Sequence, residues 1–457
     1  MYRKLSLAVV IVLSLTLVVS GVLGLAQDSD EKVETIKITA WTVGPDNPAL
    51  YREKNLKYAV DRLNRMYKVA GINKRVKLNS MFWTQKKTDY WQKVLLAFQS
   101  GDAPDVLVNG HEKIGRYVEN DWLLPLDKYY EKYDDLLGDL YQGLIDAGKY
   151  KGHIYGVPQD TEARMMYFRT DVLKQMGYSE EDIEELKQKA NSGEFTLTDM
   201  AKLGKKAQEK GLVEWGLWHR PSAGTDWLQW YISFGGELQD PETGKLIFDR
   251  TAYKPEFKFY HDLIFKWEIT PPNMYNYEWS SIHKGWIEGQ TLFYQGGSYQ
   301  FAEWKKDYNW KKAEEKTDFF LQPKGDEDGE ANTISHPLMY MINKRAEHPD
   351  IAFELLALAS APDLNLLHAI NSGHLAIRKG EAELSPYASD AHLRKSTKLL
   401  EDTHTVPNHQ DWPQYQDIIY EAIKGVESGS MGVDQALDWA VRRLKREIGE
   451  ENLIIVG

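Results

Sequence analysis

Pro104-Asp105-Val106-Leu107-Val108-Asn109-Gly110 is the stretch on which the fold class turns. A short apolar run between a proline and a glycine reads as a strand buried in a sheet that is covered on both faces. Upstream, Thr35-Ile36-Lys37-Ile38-Thr39-Ala40-Trp41 alternates polar and apolar residues, which predicts another strand, and Gly44-Pro45-Asp46-Asn47-Pro48 ends it. Between the two, Leu56, Val60, Leu63, Tyr67 and Ala70 recur at spacings of three and four, the stripe of an amphipathic helix. Val76 to Phe82 repeats the strand pattern, and Tyr90, Val94, Leu95 and Phe98 mark a second helix that stops at Gly101. Strand, helix, strand, helix, strand is the alternation of an α/β sheet. Ligands of such sheets gather at the carboxyl ends of the strands. Trp41, Trp83 and Asn109 stand at or just beyond those ends and are candidates for one rim.

Further towards the start, Arg3 and Lys4 precede an apolar run from Leu5 to Val19 that extends to Leu25, the pattern of an export signal. Gly24 and Ala26 suit cleavage after Ala26; the alternative is an uncleaved membrane anchor, since the run is near the length of a bilayer span. The 457 residues contain no cysteine, which excludes a disulfide framework, a thiol nucleophile and a lipid-modified cysteine. The formal net charge of −12 argues against nucleic acid and anionic membrane surfaces as partners. Fifteen tryptophans and 26 tyrosines are the unusual feature: most are expected in the core, with a minority beside Asp, Asn or Glu available for stacking.

The alternation continues along the chain. Ser179 to Gly193 reads as a charged helix, and Thr196 or Thr198 as the cap of the next one. Trp215 to Trp218, Thr291 to Tyr294 and Asp318 to Gln322 read as strands, and 257–267 and 279–288 as helices. Gly325 to Glu330 is acidic but lacks the ligand spacing of a calcium loop, so a solvated turn is expected. Val433, Ala436, Leu437, Ala440, Val441, Leu444 and Ile448 trace one face of a C-terminal helix. No repeat or long linker interrupts the chain, which favours lobes that share strands.

Four segments carry a resemblance to a known family. Phe98-Gln99-Ser100-Gly101-Asp102-Ala103-Pro104-Asp105-Val106, Gly152 to Pro158 with Met166 to Leu173, Glu288 to Tyr299, and His348 to Leu356 resemble, in the same order, extracellular solute-binding protein family 1, the group containing maltose-binding protein. The resemblance implies a type II periplasmic-binding fold, with two α/β lobes joined by three crossovers and a ligand cleft between them. The crossovers are expected near Pro158 to Glu162, Asp318 to Pro323 and Ser372 to Ile377. The chain then divides into a signal peptide (1–26), lobe 1 (27–160 and 323–375) and lobe 2 (161–322 and 376–457, the last part with C-terminal helices). Ser372-Gly373-His374-Leu375 departs from the family, which often has a proline near the third crossover. The implied role is capture of a carbohydrate outside the cytoplasm by hinge closure, and delivery to the permease subunits of an ABC importer, by a monomer with no cofactor.

A sugar offers a face of C–H bonds and a rim of hydroxyls, so its site needs a flat ring and planar polar groups. Trp41 and Trp83 are candidates from their strand ends, each with a core role as the alternative. Asn109, His111 and Glu112 follow the third strand, where the family places polar contacts, though a helix cap also explains Asn109. By resemblance, Glu162 matches a ligand-binding glutamate four residues after the crossover proline. Tyr299, with Ser298 before it, matches the position where an aromatic stacks on the sugar. Arg164 can fork two hydroxyls or pair with an acidic neighbour. Of Trp227 and Trp230, one is expected to reach the cleft and the other the core. Trp412, before Pro413, reads as a loop aromatic of the closing lobe, and His336 as structural. Enzyme motifs such as HExxH, GxSxG and a phosphate loop are missing from the sequence. A glycosidase with two distant carboxylates is the reading from another class, and receptors for a peptide, polyamine or metal ion are the alternatives within the same fold.

Overall fold

The computed structural model describes residues 33–44, 50–84, 87–325 and 328–457. The expected signal peptide, most of the breaker at 44–48 and the centre of the acidic turn at 325–330 lie outside them.

The first strand, β1 (Glu34–Val43), is followed by α1 (Tyr51–Val69), β2 (Lys74–Trp83), α2 (Lys87–Ser100) and β3 (Val106–Gly110). The helical stripe holds as far as Tyr67: Leu56, Ala59, Val60 and Leu63 are buried with it, while Ala70 lies past the helix end. All five residues of β3 are buried, as its unbroken apolar run requires. The first crossover contains β4 (Val157–Asp160), after which the chain enters the second lobe with β5 (Arg164–Arg169). There α3 (Glu180–Ser192) and α4 (Leu197–Glu209) each begin with a capping box, Ser179 with Asp182 and Thr196 with Asp199. Gly193 closes α3 at φ +79°, a conformation that costs other residues energy. Next come β6 (Trp215–Trp218), α5 (Asp226–Ser233), α6 (Arg250–Phe265), β7 (Thr291–Gly297) and β8 (Thr317–Phe320). The chain returns to the first lobe through β9 (Leu338–Ile342), α7 (Pro349–Ala359) and α8 (Pro362–Ser372), then crosses again to α9 (Trp412–Glu427) and α10 (Val433–Glu447).

The two sheets are separate. Lobe 1 has the order β2-β1-β3-β9-β4, with β1 parallel to β2 and β3, and β9 antiparallel to both of its neighbours. Lobe 2 has the order β8-β5-β7-β6, with β7 parallel to β6 and β5 antiparallel to β7 and β8. Each strand that arrives from the other lobe thus inserts antiparallel into a sheet of parallel neighbours. Lobe 1 has its own core, built from Ile36, Ile38, Leu56, Leu63, Val106, Leu107 and Val108 with Leu355 and Leu356 of α7. The lobe 2 core joins Met166, Phe168, Leu217, Trp230 and Phe293 to α9 and α10 through Ile419, Ile423, Leu437 and Leu444. A third cluster, including Tyr167, Trp286, Trp304, Ala369 and Leu375, backs the third crossover.

Residues 322–335 still pair within lobe 2, since Gln322 bridges Asn332 and the Asn332 amide donates to Gln229 O and Ser233 Oγ. At the third crossover Leu375 N donates to Thr161 O at 2.7 Å, joining crossovers one and three directly. Among the described residues no helix is long and apolar enough to cross a membrane.

Candidate binding cleft

The polar centre of the molecule begins where the first crossover meets lobe 2. Arg164 opens β5 and is 7% exposed; it donates to Glu162 Oε1 at 2.5 Å and to Asp226 Oδ1 and Oδ2 at 3.0 and 3.2 Å. Asp226, the first residue of α5, also accepts from Arg220 Nη1. Glu162, Arg164, Asp226 and Arg220 therefore alternate in sign along one chain of contacts. Burial would raise the Asp226 carboxyl, but Arg164 and Arg220 outweigh it and hold it below the usual range. For Arg164, burial acts against the cation while Asp226 and Glu162 overcome it, so the guanidinium stays charged. Tyr299 lies beside this chain: its half-buried ring is 5.4 Å from the Arg164 guanidinium and stacked at 5.5 Å on His374 of the third crossover. Burial pushes its phenol up to about 12, with Arg164 opposing, so the hydroxyl keeps its proton.

Local sequence explains the Arg220 wall. His219 and Arg220 leave the carboxyl end of β6, and Arg220 Nε donates to Ser222 O at 2.5 Å while its guanidinium lies 5.5 Å from the Trp279 ring. A Cβ on Gly224 would fall 2.1 Å from the Arg220 guanidinium carbon, so only glycine lets the side chain fold back to Asp226. Trp227 braces the same loop by donating from its indole to Ser222 O at 2.9 Å.

Lobe 1 supplies a second polar group at the end of β3. Glu112 accepts an ion-pair contact from Lys113 at 3.2 Å and lies 2.7 Å from His336 Nε2. Burial would raise Glu112, but His336 and Lys113 together hold it well below its ordinary range. Lys113 also sits 4.4 Å over the half-buried ring of Trp91 on α2. Across from it lies Asp417 of α9: burial raises that carboxyl, and Lys113 acts against the rise. Lys113 and Asp417 thus bring the two lobes within electrostatic reach of one another.

The structure distributes the sequence candidates as follows. Glu162, Arg164 and Tyr299 come together, with Ser298 fully buried behind them and its Oγ accepting from Ala163 N. Trp41 and Trp83 are half-buried neighbours through the β1–β2 pairing and share Lys93, at 4.9 and 5.8 Å from the two rings. Asn109 is 1% exposed; it donates to Tyr117 Oη and accepts from Gly110 N, and the turn that follows is capped by Gly110 rather than by Asn109. His111 is wholly buried between two carbonyls, Pro337 O at 3.3 Å and Val406 O at 3.0 Å, and ties lobe 1 to the segment before α9. His336, expected to be structural, partners Glu112 at 2.7 Å. Two expectations about tryptophans differ from the structure, the cleft ring of the Trp227–Trp230 pair and the loop position of Trp412. Trp227 and Trp230 both pack against Tyr260, at 5.1 and 4.4 Å, inside the lobe 2 core. Trp412 is not in a loop: it opens α9, is fully buried and stacks on Tyr415 at 5.4 Å.

Sequence reasoning missed Asp226, Arg220, Lys113, Trp91, Trp279 and His374. Lys113 adjoins Glu112, but nothing local announces an Arg–Asp–Arg–Glu chain assembled from three separate segments. A groove of about 1180 Å3, lined by Tyr150, Lys151, Gly236, Leu238, Val406 and Asn408 among others, shares no residue with that chain.

Two groups of His and carboxylate side chains lie close enough to hold a metal ion, His111-Glu112-His336 and Asp160-His368-His374. Each already contains a fixed cation, Lys113 at 3.2 Å from Glu112 and Arg52 at 2.7 Å from Asp160.

Comparison with known proteins agrees with the topology. The chain resembles maltose-bound MalE3 of T. maritima, at 20% identity and a TM-score of 0.72 over 90% of this chain and 99% of that one. It resembles equally the sugar-binding protein MalE of Xanthomonas citri, at 19% identity and a TM-score of 0.72 over 90% and 97%. A maltotriose-binding protein of Pyrococcus abyssi is 24% identical over 206 residues, 44% of this chain but only 40% of that protein's own length. These likenesses establish a periplasmic-binding-protein fold of two α/β lobes. The profile of a family described as bacterial extracellular solute-binding protein matches residues 75–365, well over half of the chain. The chain belongs to the bacterial extracellular solute-binding protein family.

Proposed function

We propose that the chain captures a carbohydrate outside the cytoplasm and passes it to the permease subunits of an ABC importer. The observation that carries this reading is the alternating Glu162–Arg164–Asp226–Arg220 chain beside the half-buried ring of Tyr299. Carboxylate oxygens accept from ligand hydroxyls and guanidinium N–H groups donate to them, so a ring edged with hydroxyls can engage both signs at once. Because each charge is already balanced, an uncharged ligand displaces no counter-ion and leaves none exposed. Tyr299 supplies the flat surface for the C–H face. Lys113 with Trp91 on lobe 1 meets the ligand from the other side, and closure of the lobes shields these contacts from water. Family membership favours binding over hydrolysis, and the P. abyssi relative and the MalE structures favour sugars over peptides, polyamines or metal ions. The leader and the family's extracellular character support export, with the uncleaved anchor as the other way to hold the protein outside.

The test uses the chain lacking residues 1–26 and a panel of mono- and oligosaccharides, read by tryptophan fluorescence and thermal shift. Saturable binding of a sugar that is recovered unchanged is expected. A response confined to peptides, polyamines or cations refutes the sugar reading, and release of reducing ends from a glycoside moves the chain to the hydrolases.

A further inference from the structure

His219 and Glu427 have no place in the cleft chain, yet they form an ion pair 2.7 Å apart with 1% of each side chain exposed. Glu427 is the last residue of α9, where a carboxylate opposes the helix dipole, and its burial adds a desolvation cost. A cation is needed to offset both. The His219 ring is caged edge-on by Trp227, Trp230 and Tyr260, at 5.1, 6.0 and 5.6 Å between centroids. Burial drives the imidazole towards its neutral form, but Glu427 outweighs burial and raises its proton affinity above the ordinary value. The other charged groups around the cage are Arg220, Asp226 of α5 and Glu256 of α6, all acting on Tyr260, and Glu421 and Lys424 of α9, the first acting on Tyr420 and the second 5.3 Å over its ring. With Nε2 facing Glu427, Nδ1 lies 2.9 Å from the Arg220 carbonyl, which accepts from the protonated ring. Tyr420 of the same helix donates to Pro221 O at 3.3 Å. Helix α9 therefore grips both ends of the peptide that carries Arg220.

We infer that the His219–Glu427 pair is a positioning device that fixes Arg220, and through it Asp226 and Arg164, in the geometry that meets the ligand. The ligand is a sugar on the reading given above. Because the folded-state value of His219 is raised, the pair is fully formed below the unfolded value of about 6.5 and is lost as pH rises through the folded value. Ligand affinity should follow the same curve.

The test measures the dissociation constant of the tightest sugar of the panel from about pH 5 to pH 9, with melting temperatures alongside. The wild type should weaken by about tenfold towards the alkaline end. His219→Gln and the isosteric Glu427→Gln should be weakened by about tenfold at low pH with a flattened profile, whereas Glu421→Gln keeps the wild-type curve. A ligand-free arm reads tryptophan fluorescence against pH, since a protonated imidazole quenches the indoles around it. The wild type should titrate, and Glu427→Gln should lower the midpoint. If His219→Gln does not fold, the wild-type profile and Glu427→Gln decide. Folded variants with wild-type affinity at every pH, or a midpoint that Glu427→Gln does not move, overturn the inference. Failure of the wild type to bind any sugar, with the fluorescence titration intact, overturns the sugar reading instead.

Discussion

Breaking the Arg52–Asp160 pair should cost much more from one side than from the other. Arg52 of α1 and Asp160 of the first crossover are 1% and 0% exposed and 2.7 Å apart. At an effective dielectric of about 20 their gross attraction is about 6 kcal/mol, most of it offset by the desolvation of two ions. The worth of the pair lies in what removal leaves behind. Asp160→Asn strands the Arg52 guanidinium in the interior with the Val43 carbonyl at 2.8 Å and the His374 ring at 3.3 Å, so a loss of about 3–5 kcal/mol is expected. Arg52→Met leaves Asp160 with His368 Nε2 at 2.8 Å, a partner that can take up a proton, so the loss should be smaller, about 2 kcal/mol. The double variant should fall well short of the sum, with a coupling above about 1.5 kcal/mol. Urea unfolding followed by tryptophan fluorescence at neutral pH gives all three values. The pH dependence adds a sign. Burial would raise Asp160, but Arg52, His374 and His368 hold it well below the ordinary range. Its contribution is therefore present above the unfolded carboxylate value and is lost as pH falls towards the folded one, a loss that Asp160→Asn should not show. Strict additivity of the two single changes, or equal costs from both sides, would refute the reasoning.

Tyr299→Ala should weaken sugar binding by at least about tenfold with little change in melting temperature, because the ring is half-buried and stacks on the hinge rather than in a core. Trp230→Ala should cost about 3–5 kcal/mol of stability, far more than Tyr299→Ala, a difference that melts of the two proteins will read directly. Glu256 is fully buried, and burial alone raises its carboxyl well above the ordinary range, which favours its protonated form in the folded protein. Such a group loses stability as pH climbs from the unfolded value towards the folded one. Glu256→Gln should therefore melt higher than wild type at neutral and alkaline pH and the same below about pH 4.

How much of this was legible in the sequence depends on the range of the forces involved. The α/β alternation was legible because strand and helix periods are written within a few residues: Val106 to Val108 for a two-faced strand, Leu56 to Tyr67 for a helix face, Ser179 and Thr196 for helix starts. Export of the chain and the division into lobes at 160, 322 and 375 remain readings from pattern and resemblance. The aromatics were not legible, since Trp227, Trp230 and Trp412 sit in the same polar sequence context as Tyr299. What separates them is whether α6 or Tyr415 happens to cover the ring, a tertiary fact. Arg164 was read as either a ligand fork or an ion-pair partner; the structure shows the pairing, and the pairing is what orients it. Asp226 and Arg220 were invisible for the related reason that a buried charge declares itself only through the partner that offsets it.

That last point bears on how such a cleft can be both selective and reversible. A ligand shifts the lobes only by as much as it binds the closed form better than the open one. Glu162, Arg164, Asp226 and Arg220 hold one another in place before a ligand arrives, so little of the binding energy goes into ordering side chains. Three of the four belong to lobe 2, and Glu162 lies on the crossover itself, so the chain need not break when the lobes move. On the proposed function, what changes on closure is the approach of Lys113 and Trp91 from lobe 1. Tyr299 joins the two events. Its ring lies 5.4 Å from the Arg164 guanidinium and stacks on His374, while His374 lies 3.3 Å from Arg52 and 5.2 Å from the His368 ring. A ligand that presses on Tyr299 therefore presses on the charge cluster binding crossover one to crossover three. Loosening that cluster by Asp160→Asn should then change affinity as well as stability, even though Asp160 is wholly buried and touches no ligand.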